Sequence, residues 1–265
     1  MLSHKSSIVS EEEVQTSMLE LRGRIESATL SDEQRKVRFS LLQQLSEFEL
    51  GRFLLVNRGL NGYWTDTIVN WPIDANANSK YQYANSLEEY LFESSPVFAA
   101  RREAQQAIHQ EVSPMLRPGS AMASIPCGLM SEVLLATEEP FVGVDLFAID
   151  LDAENFSLIR ERYGDRLVEN TLHTMQMNAQ ELDVTERFDL ICSIGLSIYM
   201  PNDDDVQALL NRFYSALKSN GGKLVTSFAA SPEEHSPTLS TLPLTYALIS
   251  VLINIYLFTV SAYIC

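Results

Sequence analysis

The stretch Ala121-Met122-Ala123-Ser124-Ile125-Pro126-Cys127-Gly128-Leu129-Met130 decides how this chain is read. Its first five residues form a short apolar run of strand type, Pro126-Cys127-Gly128 ends the run in a turn, and a helical pattern follows over 129–136. A strand, a glycine turn and a helix suit a ligand carrying negative charge, because the free N–H groups of the helix start point at it. The alternation continues downstream. Leu146-Phe147-Ala148-Ile149-Asp150 predicts a second strand ending in an acid, with a helix over 153–163. Further strands are predicted over 172–177, 188–193 and, after Gly221-Gly222, 223–228, with a helix over 203–217. This order predicts an α/β fold: a Rossmann-like, mostly parallel sheet flanked by helices, with ligands at the carboxyl ends of the strands.

Upstream the pattern is helical. Ser31 and Gln34 fit a capping box, and Val37, Leu41, Leu42, Leu45, Phe48 and Leu55 recur at three- and four-residue steps. A second helix is expected from Ser86, with Glu89 as its box partner and a bend at Pro96, and a polar, loop-rich stretch around Pro72 to Lys80 separates the two. Asn57-Arg58-Gly59-Leu60-Asn61-Gly62-Tyr63-Trp64-Thr65 runs turn-forming residues straight into two aromatics. Tyr63 and Trp64 are either core anchors or the wall of a substrate pocket. The resulting domain plan is a helical, substrate-side region over 1–117, an α/β core over 118–231 and an apolar tail over 232–265.

The chain has 265 residues, a formal charge of −16 and 46% hydrophobic residues. It is too apolar for disorder and too acidic for a surface that neutralises nucleic-acid phosphates. No nucleic-acid partner is expected. Cys127, Cys192 and Cys265 are widely spaced and odd in number, which predicts neither a disulfide framework nor a metal site and suits a reducing compartment. The four histidines sit far apart, and no metal is expected. The first thirty residues lack a cationic segment followed by an apolar one, so no secretion signal is expected there and the cytoplasm is the predicted location. The tail qualifies that expectation. From Leu244 to Cys265 it is almost wholly apolar, and about 20 such residues span a bilayer, so membrane attachment, burial against the sheet and a truncated or shifted reading frame all stay open.

The run from Met122 to Phe228 resembles a class I S-adenosylmethionine-dependent methyltransferase. Ser124-Ile125-Pro126-Cys127-Gly128-Leu129-Met130 corresponds to the glycine-bearing first motif, and Ile149-Asp150-Leu151-Asp152 to the acidic end of strand two. Met177-Asn178-Ala179-Gln180-Glu181-Leu182 resembles the segment flanking the adenine, Phe188 to Leu196 the strand-four motif, and Leu217 to Leu224 the approach to strand five. Together with Asn61-Gly62-Tyr63-Trp64-Thr65, the first motif is similar to a poorly characterised bacterial branch of these enzymes. The departures lie in the first motif: Ser124 stands where an acid is usual, and Pro126 and Met130 replace the outer glycines around Gly128.

The resemblance implies S-adenosylmethionine as cofactor. Pro126, Cys127 and Gly128 would border it, while Asp150, with Asp145 and Asp152 as alternatives, would accept hydrogen bonds from the ribose hydroxyls beside Leu151. A strand-end Asp equally serves as a helix N-cap. Asn178 and Ala179 would meet the adenine, and Ser193, Ile194 and Gly195 would lie beneath the methionine part. If the sheet order follows the family, Cys127 and Cys192 come close across the pocket floor as unreactive thiols. Tyr63, Trp64 and Tyr199 are candidates for the acceptor side.

The implied reaction is an in-line methyl transfer to a small-molecule acceptor, in which orientation can contribute about 7–11 kcal/mol and no residue is identified as a base. The alternative is a cofactor-binding or scaffold protein that keeps the fold without turnover. A nicotinamide-dependent oxidoreductase lacks its G-x-G-x-x-G turn here. Asp203-Asp204-Asp205 reads as acids favoured by a helix start rather than as a metal cluster.

Overall fold

The structure is a computed structural model that describes residues 8–77, 81–200 and 202–227. The apolar tail, and with it the predicted end of the fifth strand at Phe228, lies outside the described residues. Two compact units divide the chain, the first running to Ala99 and the second starting at Ala100. Among the described residues, no helix is long and apolar enough to cross a membrane.

In the first unit, α1 (Glu11–Ser27) and α2 (Asp32–Leu45) each open on a capping box, Ser10 with Glu13 and Ser31 with Gln34. The apolar spacing that predicts one face running on to Leu55 is interrupted: Phe48 is extended, with φ −137, and α3 (Glu49–Asn57) starts afresh. Gly51 permits this. A Cβ there would lie 2.2 Å from the Leu45 carbonyl oxygen, so only glycine allows α3 to begin against the end of α2. Val14, Met18, Leu42, Leu50, Phe53 and Leu54 fill the space between these helices. The next helix, α4 (Gly62–Ala77), is capped where Asn61 Oδ1 accepts the Trp64 N–H at 3.0 Å. It continues past Pro72 into the stretch predicted as loop, because Trp64, Ile68 and Trp71 keep a buried stripe at helical spacing.

Asn85, not Ser86, caps the short α5 (Ser86–Glu89), accepting the Leu87 and Glu88 N–H groups. A π-helical turn over Tyr90–Ser94 follows. Pro96 opens α6 (Pro96–Val112) instead of bending a longer helix, since its fixed φ and missing N–H suit a first turn.

The second unit is built on five parallel strands: β1 (Ala121–Ser124), β2 (Asp145–Asp150), β3 (Thr171–Gln176), β4 (Leu190–Ser193) and β5 (Lys223–Thr226). Their order is β3-β2-β1-β4-β5, a Rossmann-like sheet whose chain reverses direction of travel beside β1. Successive residues of β1 and β2 alternate between two cores. Met122, Leu146 and Ala148 pack with Ile108 and Val112 of α6 and with Phe156 and Ile159 of α8 (Glu154–Tyr163). Ala121, Ala123, Phe147 and Ile149 pack with Leu209 and Phe213 of α9 (Asp203–Ala216). The sheet is therefore covered on both faces, which is why its strands read as continuous apolar runs. The helix predicted over 129–136 shrinks to the single turn α7 (Ser131–Leu134), because Met130 is left-handed at φ 56 and Leu135 has already departed from helical geometry.

Candidate cofactor site at the carboxyl edge of the sheet

The strand-ending turn is fastened on both sides. The Ile125 N–H donates to the Cys192 carbonyl at 2.8 Å and the Cys127 N–H to the Ile149 carbonyl at 2.9 Å, so pairing to β4 and β2 continues past the end of β1. Between them the Ile125–Pro126 peptide is cis. Gly128 follows at φ +44, a conformation glycine adopts freely, and its N–H donates to Asp150 Oδ2 at 3.0 Å. The same carboxylate accepts from Asn155 Nδ2 at 3.1 Å and, through Oδ1, from the Asp152 N–H at 3.0 Å. Burial raises the Asp150 pKa, while these three hydrogen bonds pull the other way.

The other two acids considered for this role have different partners. Asp152 accepts the Glu154 N–H at 3.0 Å, at the start of α8. Asp145 stands at the opposite end of β2, 3.4 Å from His173. Leu151, beside Asp150, is 45% exposed, an apolar surface at the same edge.

Ser124, where the family usually has an acid, is fully buried and donates its hydroxyl to the carboxylate of Glu132 on α7, which is itself buried. A carboxylate therefore stands at the end of β1 after all, delivered from the following helix. Cys127 and Cys192 lie in one core cluster, and burial pushes both thiols well above their ordinary pKa. They are inert by that criterion.

Beyond β3, Asn178 Oδ1 accepts the Gln180 N–H at 3.0 Å, opening a short 3-10 turn in which Ala179 is buried. Past β4, the Ser193 carbonyl accepts from Thr226 Oγ1 at 2.8 Å. Ile194 packs against the core, and Gly195, at φ +76, donates its N–H to Ser227 Oγ at 2.8 Å. Among the described residues, a Cβ on Gly195 would meet nothing within 4 Å.

Tyr199, at the end of the next turn, is 55% exposed. The enclosure of its hydroxyl raises its pKa, Arg101 lowers it and Asp150 adds to the rise. Pro126 to Gly128, Asp150, Leu151, Asn178, Ala179 and Ser193 to Gly195 thus share the carboxyl edge of one sheet. Tyr63 and Trp64 belong to the first unit. There Trp64 is buried, with its ring edge-on to Tyr63 at 5.1 Å and its Nε1 without a hydrogen-bond partner among the described residues, and Tyr63 is half-buried. Asp203, Asp204 and Asp205 form the first turn of α9.

Asn155 and Glu132 are the residues that sequence reasoning missed here. The first follows Asp150 at a spacing that one turn of α8 folds back, a signal that could have been read. The second carries none, because a helix position says nothing about which strand end it faces.

Residues 127–221 match the family model for a methyltransferase domain. No curated protein matches the chain. Among solved structures, a possible exported protein from Bordetella parapertussis shares 33% identity, with 94% of this chain and 82% of that one covered at a TM-score of 0.74. Magnesium protoporphyrin IX methyltransferase from Synechocystis PCC 6803 is 13% identical over 75% of this chain and 82% of its own, at a TM-score of 0.45. A 1,6-didemethyltoxoflavin N1-methyltransferase from Burkholderia thailandensis is 17% identical over 65% and 66%, at 0.38. Those two scores are too low to add to the assignment. The Bordetella relative decides the family: this chain belongs to the family of that protein, and within its second unit residues 127–221, on a Rossmann-like sheet, match a methyltransferase domain.

Proposed function

We propose that the second unit binds S-adenosylmethionine and transfers its methyl group to a small-molecule acceptor. The observation that carries this reading is the hydrogen bond from the Gly128 N–H to Asp150, which joins the turn after β1 and the end of β2 in one site. The residues fit the cofactor. An ionised carboxylate offers about four lone-pair positions; Asp150 accepts three N–H groups within the fold and also draws the Cys127 thiol, a weak donor that a ribose hydroxyl would displace. The exposed Leu151 offers an apolar face to a base, and among the described residues the space beside Gly195 leaves room for the amino-acid end.

The cofactor supplies a methyl group already activated by its sulfonium charge. What the chain contributes is placement. Asp150 fixes the nucleoside end, and Asn178 presents an amide whose oxygen is held by Gln180. No side chain needs to take a proton where the acceptor is nucleophilic at working pH.

Titration calorimetry with S-adenosylhomocysteine tests the reading. Wild-type protein is expected to bind, and Asp150→Ala to bind roughly 10- to 100-fold more weakly, the range for losing hydrogen bonds to a charged group. Correctly folded wild-type protein that fails to bind would overturn it.

A further inference from the structure

Asn-Gly, the dipeptide whose second nitrogen can reach the preceding side-chain amide with no Cβ in the way, occurs twice in the sequence, at Asn61-Gly62 and Asn220-Gly221. The fold treats the two copies in opposite ways. Asn61 is only 7% exposed and its Oδ1 accepts the Trp64 N–H at 3.0 Å, while Gly62 is already the first residue of α4. Its amide carbonyl is therefore engaged as a helix cap, and the nitrogen that would attack it is fixed in helical geometry. Asn220 and Gly221 stand instead in the turn that joins α9 to β5, and both are exposed. That turn is closed from outside the pair, by the Gly222 N–H donating to the Lys218 carbonyl at 3.0 Å. Among the described residues, no hydrogen bond holds the Asn220 side chain or the Gly221 N–H. Gly221 has φ +85, a conformation that glycine adopts freely, and among the described residues a Cβ on it would meet nothing within 4 Å. Here neither the amide carbon nor the nitrogen that follows it is tied down.

We infer that Asn220 is a site of self-modification, where the folded chain deamidates through a succinimide, and that Asn61 is held back from the same reaction by its cap. Hydroxide takes the Gly221 amide proton, the nitrogen forms a bond to Cγ of Asn220, and the bond from Cγ to the side-chain nitrogen breaks, releasing ammonia. Water then opens the ring at either carbonyl and leaves aspartate or isoaspartate, with one further negative charge on the chain. No electrons are exchanged with an outside group. Opening at the backbone carbonyl routes the main chain through Cβ and lengthens it by one atom, in the turn that separates β5 from Lys218, whose Nζ donates to Asp189 at 2.6 Å.

Ageing the full-length protein at mildly alkaline pH, folded in buffer and unfolded in urea, tests this, with peptide mapping by mass spectrometry reading each asparagine. In the folded protein Asn220 is expected to convert within about tenfold of its rate in urea, and Asn61 at least about a hundredfold more slowly than its own, because it reacts only when the cap opens. Folding that slows Asn220 by more than that, or Asn61 by less, overturns the inference. The product carries a second readout. Isoaspartate at position 220 is the mark of the ring, and fragment ions that cleave the Cα–Cβ bond distinguish it from aspartate. A folded protein that yields aspartate there and no isoaspartate has lost its amide by direct hydrolysis, which also overturns the inference.

Discussion

Asp150 holds the turn at Gly128, the start of α8 through Asn155 and its own chain direction through Asp152. Replacing it with Asn keeps the shape and removes the charge, so Asp150→Asn is expected to fold and to bind S-adenosylhomocysteine several-fold more weakly than the wild type. The pH dependence has a definite sign. Burial, outweighing the three hydrogen bonds, raises the Asp150 pKa above 3.8, so the folded chain holds this proton more tightly than the unfolded chain. Its contribution to stability therefore falls as pH rises from 3.8 through the folded value and is a constant cost above it. In the proposed site ribose hydroxyls would donate to the ionised form, so affinity should drop as pH falls through that folded value, and the D150N profile should be flat by comparison. Calorimetry on both proteins across that range checks it. The place of Asp150 at the end of β2 was legible in the sequence because it closes an apolar run. Glu132 was not, because its hydrogen bond to Ser124 depends on how α7 folds back over the end of β1, and one chain carries no record of that.

At the scale of elements, two glycines should answer oppositely to the same substitution. Gly51→Ala drives a Cβ into the Leu45 carbonyl at 2.2 Å and is expected to cost about 1–3 kcal/mol in denaturant unfolding. Gly23, inside α1 with nothing within 4 Å of a Cβ, should gain roughly 0.5–1 kcal/mol as Ala. Asp189 clasps the other end of the sheet, accepting the Ala121 N–H at 2.8 Å and Lys218 Nζ at 2.6 Å. Burial raises its pKa, but Lys218 and the Ala121 N–H outweigh that and leave it lowered. Its stabilisation is thus present above 3.8 and lost as pH falls through the folded value. Asp189→Ala should cost about 1–2 kcal/mol near neutrality after allowance for solvent screening, read from the same unfolding curves. The order and type of the strands and of α8 and α9 were legible because apolar period and length agreed. The break between α2 and α3 was not, because it depends on Gly51 meeting a carbonyl six positions back, and neither was the shortening of α7, which Met130 sets by a backbone angle that its side chain does not advertise.

For the whole molecule, a formal charge of −16 means that like charges repel across the folded surface. Raising the salt concentration should lift the thermal midpoint by a few degrees, because exposed charges further apart than about 10 Å are screened at 0.1 M ionic strength. A scanning fluorimetry series in sodium chloride measures it. The parallel sheet also sorts its residues by task. Asp150 closes β2 and Gly128, Asn178 and Gly195 follow strand ends, while Asp189, Lys218 and Asn170, which clasps the Val144 N–H and the Phe141 carbonyl, all precede strand starts. One rim is left for selection to rework while the other keeps the scaffold standing. Lesions placed on opposite rims should therefore behave as strangers, their costs adding with little remainder, and a drifting lineage can change what that rim binds without renegotiating how it folds.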